Sequence, residues 1–167
     1  KQLRKFVNSY AEEKNIRVWL HLDHCKDMDL INNAIENKWD SVMIDASDKG
    51  LEENIQITNK VVDWAHQHGV LVEAEIGQVK GVEDDLVVRQ SEVASIEDID
   101  LFTKETRADM VAIAFGNAHG EYKGEPDLKY DLVEYTVKRA DIPFVVHGGS
   151  GLKDSVITDF NIWCQKD

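Results

Sequence analysis

The sequence predicts an α/β fold built on parallel β-strands, and three observations lead to it. Segments with the apolar spacing of a helix alternate along the chain with short, almost continuously apolar segments typical of buried strands. Strands separated by helices pair in parallel, because each return to the sheet needs a crossover. A polar residue able to bind a metal or move a proton also stands at the carboxyl end of every predicted strand, the edge where such folds place active sites.

The predicted elements follow these patterns along the chain. The first helix places Leu3, Phe6 and Tyr10 on one side, and the longest helix ends at Gly69, a residue typical of helix C-termini. The predicted order is helix 3–14, strand 17–22, helix 28–38, strand 41–45, helix 51–68, strand 70–76, helix 97–107, strand 110–115, helix 130–140 and strand 143–147. Five strands fit either an open doubly wound sheet or part of a (β/α)8 barrel. Length alone favours the open sheet, because a barrel typically needs about 250 residues.

The composition describes a folded, strongly acidic chain. It has 167 residues and a formal net charge of −13, from 19 Lys and Arg against 32 Asp and Glu. We expect a single domain over 1–167, since no linker divides the chain. The acidity argues against nucleic acid and anionic membranes as partners. Cys25 and Cys164 form no disulfide framework and no signal peptide is visible, so we expect a cytoplasmic protein.

Three histidines are candidate metal ligands. His24, His119 and His147 each follow a different predicted strand, beside small or acidic residues. Three neutral imidazoles with an open fourth position are typical of catalytic zinc. Asp45 and Glu75 end two further strands at the same edge. Together the three histidines predict a metal centre.

The other three histidines have simpler interpretations. His66 and His68 lie at the end of the longest helix, where solvated, dipole-compensating side chains are common. His21 lies inside the first predicted strand, two residues before Asp23, so continued extended geometry would put these two on one face and His24 on the other. We expect a supporting role for His21.

Two glycine-rich segments predict a phosphate site. The segment HGGSG at 147–151 offers backbone N–H groups and a hydroxyl at a turn, which suits a phosphate. The segment GNAHGEYKGEP at 116–126 is similarly rich in glycine. Next to a candidate metal, these turns favour a phosphorylated substrate.

A polar segment at 77–92 is predicted to be a lid. It contains Glu83, Asp84 and Asp85, and long loops in compact domains are often functional. A mobile carboxylate above a metal suits proton abstraction next to a carbonyl.

Taken together, these motifs resemble those of class II fructose-bisphosphate and tagatose-bisphosphate aldolases. The motifs are HLDHC at 21–25, SVMIDAS at 41–47, EENI at 52–55, VEAEIG at 72–77, GVEDD at 81–85, GNAHGEYKGEP at 116–126 and HGGSG at 147–151. The resemblance covers residues 1–153. It implies a metal-dependent (β/α)8 barrel, of which this chain supplies about five central units. The implied reaction cleaves a ketose 1,6-bisphosphate to dihydroxyacetone phosphate and glyceraldehyde 3-phosphate through a metal-stabilised enediolate, in a homodimer or homotetramer.

The resemblance also implies a role for each motif residue. The implied zinc ligands are His24, His119 and His147, and the implied second or alternative divalent position uses Asp45 and Glu75. Asp23 matches the acid/base at the C4 hydroxyl, and Glu83 matches the loop glutamate that moves the proton at C3 of the triose enolate. Contacts to dihydroxyacetone phosphate, bordering a monovalent cation site, are implied for Gly120, Gly148, Gly149 and Ser150.

Departures from the family pattern keep two alternatives open. The first two β/α units and the last, asparagine-bearing strand are missing, and the similarity fades after Leu152. The chain is therefore also compatible with a truncated or degenerate relic that binds metal without catalysis. A metal-dependent hydrolase barrel fits less well, because such barrels commonly carry His-x-His on the first strand, whereas His21 and His24 are separated by two residues.

Overall fold

The structure is a computed structural model that describes residues 1–79, 81–83, 86–88, 93–120, 122 and 125–164. The helices are α1 (Gln2–Lys14), α2 (Met28–Glu36), α3 (Leu51–Gln67), α4 (Ile96–Glu105), α5 (Tyr130–Arg139) and α6 (Asp154–Cys164), with a 3-10 turn at Gly149–Gly151. The strands are β1 (His21–Cys25), β2 (Ser41–Ile44), β3 (Leu71–Ile76), β4 (Gly81–Glu83), β5 (Leu86–Val88), β6 (Met110–Ile113) and β7 (Phe144–Val145). Among the described residues, no helix is long and apolar enough to cross a membrane.

Five strands form one parallel sheet, which confirms the predicted α/β class. Their order is β1-β2-β3-β6-β7, and every neighbouring pair is parallel. The strands therefore follow one another in chain order, each reached through a crossover helix. A doubly wound sheet reverses its strand order at a switch point, whereas a barrel wall does not. The topology thus favours part of a barrel wall over the open sheet that length alone suggested.

The core lies at the centre of this sheet. All four residues of β2 are buried, and so is β3 after its first residue. Helix α3 covers the sheet with its buried face, which includes Val61, Val62 and Ala65. Helix α4 adds Ile99 and Phe102, both fully buried. The apolar side chains of these helices and strands therefore pack together in one layer.

Helix ends follow local sequence signals. The Asp27 carboxylate accepts hydrogen bonds from the N–H groups of Asp29 and Leu30, at 2.8 and 3.2 Å, which caps α2. The Ser95 hydroxyl accepts one from the Asp98 N–H at 3.1 Å at the start of α4. These caps place the two helices directly after the loops that leave the sheet.

Helix α1 forms as predicted but buries no residue. Phe6 on its apolar side is 69% exposed. The helix is held instead by an ion pair, in which the Arg4 guanidinium donates to both oxygens of the Asp40 carboxylate. Asp40 also accepts a hydrogen bond from the Leu20 N–H at 2.7 Å, so this carboxylate joins α1 to the entry of the sheet.

The prediction of a buried strand at 17–22 is wrong in its position. Strand β1 begins at His21, where pairing with Ser41 of β2 begins. Val18 and Trp19 precede the strand and are exposed. Their apolar character resembled a strand interior, but pairing to β2 begins only at its first residue. Asp23 consequently lies inside β1 rather than after it.

Candidate metal centre

Three histidines, one in β1 and two in the loops that follow β6 and β7, converge at the carboxyl edge of the sheet. One ligand atom from each of His24, His119 and His147 lies within 4.8 Å of the other two. The ring centroid of His24 lies 5.1 Å from that of His119 and 4.3 Å from that of His147. Parallel strands with sequential order bring these chain-distant residues together, since their carboxyl ends all meet at one edge.

His24 reaches this point because β1 is irregular at that residue. The register between β1 and β2 shifts between Leu22 and Cys25, as in a β-bulge. His24 has a φ of 39°, in the left-handed region of backbone conformation that residues other than glycine rarely adopt. The extended geometry that would separate Asp23 from His24 therefore does not continue. A backbone irregularity of this kind is typical of functional sites, where it aims a side chain.

The nitrogen atoms of two rings already face each other. His24 Nε2 lies 2.8 Å from His147 Nδ1, which is hydrogen-bonding distance. A tetrahedral zinc ion with bonds of about 2.0–2.1 Å would separate two ligand nitrogens by roughly 3.3 Å. A shift of a few tenths of an ångström would therefore accommodate the ion, and the donor set of three imidazoles fits zinc chemistry.

Two buried carboxylates stand behind His24 and differ in their protonation. Burial alone would raise the pKa of Asp45, but hydrogen bonds with His24 and Ser47 outweigh it and hold the pKa at about 2. Burial, reinforced by the negative charge of Asp45, raises the pKa of Glu75 to about 7. Glu75 Oε2 is buried without a hydrogen bond and lies 3.7 Å from His24 Nδ1. This orphaned oxygen also fits a cation-binding role for the cluster.

Glu73 is a site residue that the sequence reasoning missed. Its Oε1 lies 2.7 Å from His147 Nε2, and its side chain is almost completely buried. Burial alone would lower the pKa of His147, but the hydrogen bond to Glu73 and the negative charges of Glu73 and Glu75 together outweigh it and raise that pKa. The signal was present, because Glu73 precedes Glu75 by two residues and a strand repeats its faces every two residues.

The loops that carry His119 and His147 are joined by polar contacts. Asn117, fully buried, donates from Nδ2 to the His147 carbonyl at 2.8 Å and accepts from the Phe115 N–H at 2.9 Å. The Tyr122 hydroxyl accepts from the Ala118 N–H at 2.9 Å. These contacts hold the two ligands in fixed relation. Neither Asn117 nor Tyr122 was singled out by sequence, since an isolated amide or phenol carries no pattern.

The pKa of His119 falls, whereas that of His147 rises. Burial lowers the pKa of His119 to about 4, and the neighbouring His24 and His147 add to the fall. Its imidazole is therefore neutral near pH 7, which is the form that binds a metal.

The predicted phosphate turn lies beside this centre. Gly148 has a φ of 64°, and a Cβ there would lie 2.3 Å from the Ala118 carbonyl oxygen, so only glycine fits. Gly149 and Ser150 follow in the 3-10 turn, with Ser150 exposed. Gly120 is exposed with a φ of 85°. Gly120 and Ser150 are thus exposed, whereas Gly148 and Gly149 are half-buried.

Asp23 has an exposed side chain beside His21, and Glu83 is the last residue of β4. The Asp23 side chain is 55% exposed, and its Oδ1 lies 3.8 Å from His21 Nε2. Glu83 ends β4, which pairs with β5 as an antiparallel hairpin in the segment predicted to be a lid. Asp84 and Asp85 lie outside the described residues.

His66 and His68 are at the end of α3, as expected, and away from the cluster. His66 Nε2 lies 2.9 Å from Asp109 Oδ2, and His68 stacks on Trp64.

Comparison with known proteins defines the class to which this fold and site belong. Residues 1–161 match the family described as Fructose-bisphosphate aldolase class-II, which extends eight residues beyond residue 153, where the resemblance seen in the sequence ends. The chain belongs to the class II fructose-bisphosphate aldolase family.

Individual relatives carry several aldolase names. The chain is 44% identical over 161 residues to the 6-phospho-5-dehydro-2-deoxy-D-gluconate aldolase of Bacillus velezensis, covering 94% of this chain and 54% of the relative. It is 42% identical over 154 residues to the fructose-bisphosphate aldolase of Geobacillus stearothermophilus, covering 91% and 54%. The chain thus spans about half the length of the curated relatives it matches.

A solved structure agrees with the fold. The YdjI aldolase from Escherichia coli K12 superposes with a TM-score of 0.77 at 31% identity, covering 93% of this chain and 53% of that one. The similarity extends over the whole sheet, which supports its description as part of an aldolase barrel wall.

Proposed function

We propose that this chain provides the metal-binding part of a zinc-dependent class II aldolase that cleaves a ketose 1,6-bisphosphate to dihydroxyacetone phosphate and glyceraldehyde 3-phosphate. The observation that carries the proposal is the convergence of His24, His119 and His147 at one edge of the sheet. The buried carboxylates of Asp45 and Glu75 next to His24 support a second or alternative divalent position.

The proposed roles of the chain's residues follow from their placement. A zinc ion held by the three histidines would polarise the substrate ketone and so stabilise the negative charge left at C3 when the C3–C4 bond breaks. Asp23, an exposed carboxylate directly before a ligand, takes the proton from the C4 hydroxyl as the C3–C4 bond breaks. Glu83, at the end of β4, returns a proton to C3 of the triose product. After one cleavage Asp23 is protonated and Glu83 is deprotonated, so Asp23 releases a proton to solvent and Glu83 takes one up before the next turnover.

The substrate phosphate is assigned to the turns around the histidines. Gly148, Gly149 and Ser150 leave the sheet beside His147, and Gly120 follows His119. Backbone N–H groups in such turns bind phosphate without a competing side chain. A monovalent cation near the same turns would offset the phosphate charge. We further propose a homodimer or homotetramer as the working state.

A second substrate is favoured by one observation. The relatives that are 44% and 42% identical over 161 residues are both named 6-phospho-5-dehydro-2-deoxy-D-gluconate aldolase. This name and the name fructose-bisphosphate aldolase both denote a phosphorylated substrate. The same glycine turns would therefore bind the phosphate of either substrate. A side-by-side comparison of kcat/KM for the two substrates decides between them.

The experiment is an aldol-cleavage assay on the 167-residue chain. We expect cleavage of fructose 1,6-bisphosphate that EDTA abolishes and that added zinc restores. A chain that binds zinc at its histidines but cleaves neither substrate would be the metal-binding relic. A chain that binds no zinc would contradict the metal centre itself.

Asp23→Ala tests the assignment of the acid/base. Loss of the carboxylate is expected to lower kcat by about 100-fold or more, with zinc content unchanged, because the side chain lies outside the ligand set. Asp48→Ala is the matched control, since Asp48 is a partly exposed carboxylate beside Lys26. Loss of zinc from Asp23→Ala would make the residue structural.

A further inference from the structure

A row of polar groups behind the metal ligands has no part in the reaction proposed above. The Trp19 Nε1–H donates to Ser41 Oγ at 2.9 Å, and Ser41 Oγ lies 2.7 Å from His21 Nδ1. His21 Nε2 lies 3.6 Å from Glu73 Oε2, and the other Glu73 oxygen lies 2.7 Å from His147 Nε2. The row therefore joins an exposed tryptophan to a candidate metal ligand through three hydrogen-bond distances and one longer ion-pair distance, between His21 and Glu73.

Donor and acceptor chemistry fixes the protons in this row. The Trp19 indole can only donate, so Ser41 Oγ accepts there, and its hydroxyl hydrogen is available to His21 Nδ1. His21 Nε2 faces two acceptors, the carboxylates of Glu73 and Asp23, the latter at 3.8 Å. A proton on Nε2 suits both neighbours of the ring, because it faces the two carboxylates while Nδ1 accepts from Ser41 Oγ.

The same reasoning fixes His147. Its Nε2 faces the Glu73 carboxylate and so carries a proton, which leaves the Nδ1 lone pair directed at His24 Nε2. One buried carboxylate thus orients two imidazoles, one at the metal centre and one beside Asp23.

We propose that Glu73 and His21 are positioning residues that link the metal ligand His147 to Asp23. Glu73 presents His147 Nδ1 to the metal, and the Nε2–H of His21 orients the exposed Asp23 carboxylate. Metal binding at His147 strengthens the pull of its Nε2–H on Glu73, and this change reaches His21 through the shared carboxylate. The consequence for Asp23 rests on the proposed function, whereas the Glu73–His21 linkage does not.

The test is ¹⁵N NMR of the histidine rings in the 167-residue chain, without metal and with Zn²⁺. Ring ¹⁵N shifts report which nitrogen carries the proton. We expect Nε2–H at His21 and His147 in the metal-free chain. Added Zn²⁺ is expected to move the His21 ring signals, although His21 is not a ligand.

Three variants separate linkage from simple stability. Glu73→Gln is expected to lower Zn²⁺ affinity 10- to 100-fold and to reduce the His21 response to Zn²⁺ by at least half. Ser41→Ala is expected to move His21 towards the Nδ1–H form while Zn²⁺ affinity stays within about threefold. Thr136→Val is the matched control, because it also removes a buried hydroxyl, one that donates to the Leu132 carbonyl in α5.

Each outcome decides a separate point. The proton assignment is overturned if His21 carries its proton on Nδ1 in the unaltered chain. It is also overturned if Ser41→Ala leaves the His21 ring unchanged. A His21 response to Zn²⁺ that survives intact in Glu73→Gln overturns the linkage. A chain that binds no Zn²⁺ defeats the proposed function, while the metal-free spectra still test the assignment of His21.

Discussion

The centre of the sheet and its first edge both contribute to the candidate site, yet they are held in different ways. Strand β3 lies between β2 and β6, and its Glu73 and Glu75 are almost completely buried. Strand β1 follows an exposed segment in which Trp19 is 63% exposed. Packing fixes the central carboxylates, whereas individual hydrogen bonds and one ion pair fix the edge.

The helices repeat this difference. Helix α3 buries Val61, Val62 and Ala65, whereas α1 buries no residue and depends on the Arg4–Asp40 pair. The site therefore has a rigid interior that orients metal ligands and an open rim that carries Asp23. An enzyme benefits from that division, because ligands must stay fixed while substrate enters.

The largest expected effect separates two phenylalanines on helices that the sequence predicts equally well. Phe102→Ala in α4 is expected to lower the free energy of unfolding by about 3–5 kcal/mol, because it opens a cavity in the core. Phe6→Ala in α1 is expected to change it by less than about 0.5 kcal/mol. Urea unfolding of both variants checks this. A cost at Phe6 as large as that at Phe102 would break the comparison.

A pair of glycines sharpens the comparison at the loops. Gly148→Ala is expected to cost about 2–4 kcal/mol of unfolding free energy, since the new Cβ meets the Ala118 carbonyl at 2.3 Å. Gly120 has a φ of 85°, and a Cβ there would meet no other atom within 4 Å. Gly120→Ala is therefore expected to cost only the backbone strain, about 1 kcal/mol. Equal losses in thermal or urea unfolding would show that close packing at Gly148 is unimportant.

Zinc is expected to stabilise the fold through the histidine ligands, and this stabilisation is expected not to depend on Asp23 at the rim. At a free Zn²⁺ concentration 100 times Kd, the gain in unfolding free energy is about 2.7 kcal/mol, which raises Tm by roughly 5–10 °C. His119→Ala should lose this gain and Asp23→Ala should keep it. Differential scanning calorimetry with and without EDTA measures both, and the reverse pattern would place the metal at the rim.

The smallest expected effect lies at the edge, where α1 joins the sheet. The hydrogen bond from Arg4 lowers the pKa of Asp40 below its ordinary value of 3.8. A lowered folded-state pKa stabilises the fold above that ordinary value, and the stabilisation is lost as the pH falls through the folded-state pKa.

Arg4→Met is the variant that tests this ion pair. We expect a loss of about 0.5–1 kcal/mol at pH 7, which shrinks as the pH falls below 3.8 because both chains then lack the charged pair. Lys138→Met, which breaks an exposed pair with Glu134, is the control and should change little at any pH. Urea unfolding across pH gives the comparison, and a pH-independent loss at Arg4 would contradict it.

The fold was largely predictable because its central elements bury regular apolar patterns. Helices and strands from α2 to β3 lie within two residues of their predicted bounds. The error at 17–22 arose because Val18 and Trp19 are apolar but exposed, and a local pattern does not reveal which residues find a partner strand. Strand order was likewise open, since the choice between barrel and open sheet depends on tertiary contacts.

The candidate site was predictable where polar residues end strands. His24, His119 and His147 could be singled out for that reason, and the structure brings them together. Glu73 was missed although it precedes Glu75 by two residues on the same strand face, and Asn117 was missed because an isolated amide carries no pattern. The bulge at His24 also escaped prediction, because a φ of 39° at a histidine has no sequence signature.

The central claim is that the three histidines, one in β1 and two in the loops that follow β6 and β7, bind one metal ion. Zinc-edge X-ray absorption of the 167-residue chain loaded with one equivalent of Zn²⁺ tests it most directly. The predicted spectrum shows three imidazole nitrogens at about 2.0–2.1 Å with light-atom ligands completing the shell. A spectrum dominated by sulfur, or one with oxygen ligands and no imidazole, would contradict the claim.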